Sequence, residues 1–212
     1  MPEANSIAKE PFRSEDDILR SQQYGFLARM LGAAPSADLI AKVSEMEGDE
    51  TPLGQAYGHL ARKAANTSPA AIEREYFDLF IGVGRGELLP YASFYLTGFL
   101  NERPLADLRG DLAVLGVVRV EDRHEPEDHI AFLFDVMSGL AVGRFDDGDL
   151  NEHLFYQRHL APWAAQFFDD LAIAPSADFY RPLAEIGRVF MDIEARAFAL
   201  GSAGERRAGR TG

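Results

Sequence analysis

The chain has no cysteine. That absence removes disulfides, thiolate zinc sites, cysteine-ligated iron–sulfur clusters and cysteine nucleophiles together, and it fits a reducing cytosol. Basic residues are scarce. Lys and Arg number 21 against 34 Asp and Glu, for a formal net charge of -13. A duplex nucleic-acid binder displaces counterions with a basic face, and an anionic membrane surface asks for the same. The balance argues against both and favours a cationic partner. Long apolar runs are missing as well. The longest uncharged stretch of apolar character, residues 88–101, falls short of the roughly 20 residues a spanning helix needs and is broken by Pro90 and Gly98. The first twenty residues hold no apolar core between a basic start and a small-residue cleavage site. A cytoplasmic protein without stable membrane insertion is expected. No run alternates with period two for long enough to make a strand.

What is present is a helical pattern spread over 212 residues, 47% of them hydrophobic and 26% charged. A chain of this size buries roughly 70% of its unfolded surface and needs no staple. Ser14, Ser36, Thr51-Pro52 and Ser68-Pro69 read as helix starts, followed by apolar residues at spacings of three and four. The first helix takes Ile18, Leu19, Phe26, Leu27, Met30 and Leu31 as its inner face. Residues 91–100 are apolar nearly all round and read as buried. Pro126 opens a helix with Glu127 and Asp128 in a solvated first turn. Ser176 starts the last helix, which Pro182 kinks or splits. The expectation is all-α, one globular bundle of about ten helices. A larger N-terminal part (14–116) meets a smaller C-terminal part (126–200) through an extended acidic hinge (117–125). A small, polar, basic tail (201–212) reads as disordered.

Chemistry-bearing motifs are few. The loop Gly82-Val-Gly-Arg-Gly86 has Glu87 where a dinucleotide fingerprint needs glycine, and no Lys-Ser/Thr follows, so its glycines read as turn formers. Glu125 and His129 lie four apart, yet Pro126 makes Glu125 a cap position, and His59, His153 and His159 share no ligand spacing with them; no metal is expected. Ser93, Thr97 and Ser138 lack a G-x-S-x-G turn. Tyr76, Leu79 and Phe80 fall at i, i+3 and i+4, the spacing of a core-facing stripe.

These segments also occur in a recognisable order: Tyr76-x-x-Leu79-Phe80, then Gly82-x-Gly84-x-Gly86, then Leu89-Pro90-Tyr91-x-Ser93-x-Tyr95, then Glu125-Pro126-x-Asp128-His129. The chain resembles, over roughly residues 14–200, the TorD/DmsD type of redox-enzyme maturation chaperone, to which the NarJ type is related. The resemblance implies an all-α protein of two helical parts joined by a hinge, monomeric or dimerised by exchanging the C-terminal part. It implies no enzymatic activity and no cofactor of its own. The partner it implies is the precursor of a molybdenum-cofactor oxidoreductase subunit, bound before export, often through its twin-arginine signal peptide, until the cofactor is inserted. The matched peptide-binding positions are Tyr76, Leu79, Phe80, Asp128 and His129, with Tyr91, Ser93 and Glu125 beside them. Weak guanine-nucleotide binding, suggested for some relatives, has no supporting loop chemistry here.

A twin-arginine peptide carries two guanidinium groups and then an apolar run, so its receptor needs carboxylates beside a hydrophobic groove. Glu121, Asp122, Glu125, Glu127 and Asp128 offer the first, and the aromatic-rich helices over 76–100 the second. The alternative is a small helical enzyme or ligand-binding protein using the same groove with His129 as acid or base. The client stays open among trimethylamine N-oxide, dimethyl sulfoxide and formate enzymes.

Overall fold

The computed structural model describes residues 14–117, 125–145 and 150–208, with 201–208 described by backbone alone. Among the described residues there are ten α-helices and no strand. They are α1 (Glu15–Gly32), α2 (Ala37–Ser44), α3 (Pro52–Asn66), α4 (Pro69–Tyr76), α5 (Ala92–Thr97), α6 (Arg103–Val114), α7 (Ile130–Ala141), α8 (Glu152–His159), α9 (Ala164–Ile173) and α10 (Tyr180–Ala208). A five-residue π-turn, Phe77–Ile81, continues α4. The starts of α1 to α4 fall where the sequence placed them. Ser14, Ser36, Thr51 and Ser68 each accept a bond from the third residue on, and Ser14 completes a capping box with Asp17.

The most extensive helix pair is α1 on α7, followed by α10 on α9 and on α3. Residues from both expected parts therefore fill one apolar core, whose largest fully buried side chains include Trp163, Tyr24, Tyr180, Phe134 and Phe168. Residues 118–124, which carry most of the expected hinge together with Glu121 and Asp122, lie outside the described residues.

The stripe that α1 turns inward is 20/24/27/31, and its first position is an arginine. Arg20 binds two carboxylates at once. Its Nε donates to Glu194 Oε1 (2.7 Å) in α10, and Nη2 donates to Glu194 Oε2 and Glu152 Oε1 (both 2.5 Å), the latter in α8. Glu194 is fully buried and also accepts from Tyr24 Oη at 2.7 Å. Ile18 and Leu19, expected inward, lie off this stripe and are 45% and 55% exposed.

Other expectations are also corrected. Residues 91–100 are not buried all round. α5 is only six residues long, ended by Gly98 in the left-handed region (φ 83), so Phe99 stands 69% exposed and Leu96 and Leu100 about as open as a surface residue. Pro126 does not open a helix. The chain turns through 125–129, and α7 begins at Ile130 because the His129 side chain accepts from Ala131 N. Ser176 does not start α10, since Glu87 takes its backbone N–H (3.1 Å) and hydroxyl. α10 starts at Tyr180, and Pro182 falls in its first turn, where the missing N–H costs no helical bond. At its far end α10 runs past Gly201 to Ala208. Ala203, Glu205, Arg206, Arg207 and Ala208 are good helix formers, and no proline interrupts them.

Candidate functional site

The first motif sits where α4 widens into the π-turn. Gly82 N bonds Phe77 O at 2.7 Å, an i+5 closure that ends the helix. Gly82 then takes φ 63, which reverses the chain. Gly86 passes so close that a Cβ there would stand 2.5 Å from the Phe80 carbonyl carbon. The returning strand of chain bonds the motif's own carbonyls, Glu87 N to Asp78 O (3.1 Å) and Leu88 N to Leu79 O (2.8 Å). The glycines thus fold the segment before Pro90 back onto the aromatic motif.

That return delivers residues 90–93 to the second motif. Ala92 N donates to Asp128 O (3.0 Å) and Ile130 N to Pro90 O (2.8 Å), with Tyr91 and His129 forming an antiparallel bridge. Asp128 is fully buried, and its Oδ2 accepts from Ser93 N at 2.8 Å. It caps α5, whose own preceding residue, Tyr91, offers no side-chain cap. Tyr91 Oη donates to Glu125 Oε1 (2.9 Å), and its ring meets the His129 ring edge-on at 5.1 Å. His129 Nε2 lies 3.8 Å from Glu125 Oε1, while Nδ1 accepts from Ala131 N at 3.2 Å. The imidazole is 5% exposed, and its Nδ1 is committed to capping α7.

Tyr76 joins the same group. Its hydroxyl donates to Leu31 O (3.3 Å), and burial together with the nearby Glu125 carboxylate pushes the phenol up to about 12. The same two causes, burial first, raise the Tyr91 phenol. Of the expected site residues, Tyr76, Tyr91, Ser93, Glu125, Asp128 and His129 therefore come together. Leu79 and Phe80 are buried in the core, where the Phe80 ring packs between Tyr76 (5.0 Å) and Tyr180 (5.5 Å). Tyr76 and Tyr91 are half-buried, and the Glu125 side chain is 48% exposed.

Glu125 and His129 lie on the edge of a cleft of about 690 Å³ between α1, α6 and α7. Its walls mix apolar surface with charge of both signs. Arg109 is held by Glu127 (2.8 Å), and Arg29, Asp135 and Arg144 add exposed charges. Among the described residues no three metal-ligating side chains gather into a metal site, and no helix is long and apolar enough to cross a membrane.

Sequence reasoning missed Glu75. Its carboxylate accepts from the backbone N–H of Asp178 (2.8 Å), Phe179 (2.9 Å) and Tyr180 (2.8 Å) at the start of α10. The signal was available: Glu75 is a charged residue on the buried 72/75/79 stripe.

The family model described as nitrate reductase delta subunit matches residues 47–169. A Vibrio cholerae protein named chaperone protein TorD is 27% identical over 194 residues, covering 81% of this chain and 88% of that one. Its namesake from Vibrio atlanticus is 27% identical over 139 residues, and the match spans 60% of this chain and 64% of that protein. These relatives are named as chaperones, not as enzymes. A solved structure from Archaeoglobus fulgidus, described as a candidate redox enzyme maturation protein, shares the fold with a TM-score of 0.54 at 17% identity, covering 87% of this chain and 99% of that one. The motifs, the all-helical fold and a family match over more than half of the residues agree, and the chain belongs to the nitrate reductase delta subunit family.

Proposed function

We propose that the chain is a maturation chaperone that binds the precursor of a molybdenum-cofactor oxidoreductase subunit and holds it until its cofactor is inserted, before export from the cytoplasm. The segment recognised is the twin-arginine signal peptide. Glu125, Tyr91 and Tyr76 make the contact at the head of the cleft, while Leu79, Phe80, Ser93, Asp128 and His129 hold that head in shape. The observation that carries this reading is the convergence of the two motifs, with Tyr91 bonded to the half-exposed Glu125 carboxylate and its ring packed edge-on against that of His129. A guanidinium group is stabilised by such a carboxylate and by the faces of such rings. The formal charge of -13 draws a basic peptide inward. Exchange of the C-terminal part between chains belongs to the same proposal, since an exchanged copy would carry the α1–α7 interface to its partner.

The test is to purify the tagged protein from its own cells and identify the co-purifying subunit by mass spectrometry. A molybdoenzyme subunit with a twin-arginine leader is expected, and calorimetry with that leader should show Glu125→Gln weakening binding about tenfold. Recovery of no such subunit, or turnover of a small substrate, overturns the reading.

A further inference from the structure

We infer that Glu75 is a positioning residue of the client site: its carboxylate seats the first turn of α10, and the Tyr180 ring presented by that turn packs behind Tyr76. This rests on the client-binding reading above.

Glu75 is 8% exposed and has no ion-pair partner among the described residues. Its charge is met by three backbone N–H groups and by the positive end of α10. Those bonds fix where α10 begins, and so where Tyr180 points. Tyr180 is fully buried and packs on Phe80 (5.5 Å) and Tyr76 (6.1 Å between centroids). The two phenols then end side by side on the last turn of α1. Tyr180 donates to Met30 O (3.2 Å) and Tyr76 to Leu31 O (3.3 Å), carbonyls that no helical N–H would otherwise satisfy. Gly32, the next residue, lines the cleft. Tyr76 is thus held by Phe80 (5.0 Å) on its own segment, by Leu31 O of α1 and by the Tyr180 ring, and the last of these supports depends on where Glu75 starts α10.

The experiment uses the full chain with fluorotyrosine incorporated, the Tyr76 line being assigned by Tyr76→Phe. The binding probe is a synthetic peptide with two adjacent arginines followed by an apolar run. Glu75→Gln keeps the shape of the side chain and loses its charge. It is expected to shift or broaden the Tyr76 line at neutral pH and to weaken the peptide by about tenfold, the cost of ordering one side chain at binding. Ser36→Ala removes a cap far from either motif and should move the melting temperature while leaving both readouts alone. Tyr180→Leu keeps the cap and removes the ring. It should reproduce the Tyr76 shift, and it decides the matter if Glu75→Gln does not fold. A Glu75→Gln or Tyr180→Leu protein that melts lower yet keeps the Tyr76 line and the affinity overturns the inference and leaves Glu75 a structural cap. If the wild type does not bind the peptide, the client-binding reading fails, and an unmoved Tyr76 line in the variants would sink the positioning role separately.

Discussion

Two kinds of helix start stand in contrast among the described residues. Ser14, Ser36, Thr51, Ser68 and Asn151 cap the helix that follows them, and their hydrogen bonds lie at the exposed surface. α5 and α10 borrow their caps from elsewhere: Asp128, 35 positions from Ser93, and Glu75, 105 positions from Tyr180. A local cap satisfies one orphan donor and fixes where one helix begins. A distant cap does the same while tying two segments together, and both distant caps are buried carboxylates. One belongs to the second motif and the other directly precedes the first. Glu75 and Asp128 thus read as tertiary staples before they read as contact residues.

The contrast can be broken most sharply at Glu75. Glu75→Ala strands three N–H groups at a buried helix start and should cost ~3 kcal/mol or more, read as the shift of a urea midpoint. A loss no larger than that of a surface cap would erase the distinction. Asp128→Asn comes next. Loss of the charged acceptor for Ser93 N–H should cost about 2 kcal/mol and speed hydrogen exchange at that amide. A solvated helix start would lose at most ~1 kcal/mol and leave the amide unaffected. Ser36→Ala sets the local scale at ~1 kcal/mol, with no change in exchange outside α2.

The smallest effect tests a third long-range contact, between α8 and α6, where His159 Nε2 meets Asp111 Oδ2 at 2.7 Å. Burial holds this imidazole below its usual 6.5, outweighing the pull of the Asp111 carboxylate. The unfolded chain takes up a proton as the pH falls through about 6.5 and the folded chain refuses it. Stability is therefore full above that pH and declines below it. Denaturation of wild type and His159→Gln at a pH near 7.5 and another near 5.5 should show the wild type losing its advantage by less than ~1 kcal/mol. A wild type that gains on the variant at the lower pH would reverse the sign and this account.

The same division explains what the sequence could tell. Ser14, Ser36, Thr51-Pro52 and Ser68-Pro69 were legible because cap and helix are neighbours. The inner faces of α3 and α4 were legible because one stripe repeats. Ser176 misled because a better use for its donors, the Glu87 carboxylate, lies 89 positions away. Ile18 and Leu19 misled because hydrophobicity alone does not reveal that Arg20 takes the inward place and is neutralised there by two glutamates. The candidate site was legible as two motifs. That Asp128 would be buried, with Glu125 the exposed carboxylate that Tyr91 bonds, depends on how the glycine loop returns the chain, which no local pattern encodes.

The wide turn at Phe77–Ile81 also makes chain length unforgiving in one place and not in its neighbour. A π segment accommodates one residue more than the α-turn it replaces. Deleting any residue of 77–81 would let it relax to a regular helix and swing everything downstream by about 100°, so Gly86 would no longer pass beneath Phe80 and residues 90–93 would miss Asp128. Two positions later Val83 is 98% exposed, and the space around Gly84 is open. Insertions should be tolerated there. A record of length variation among natural or selected variants should show gaps clustered at the loop tip and none within the turn.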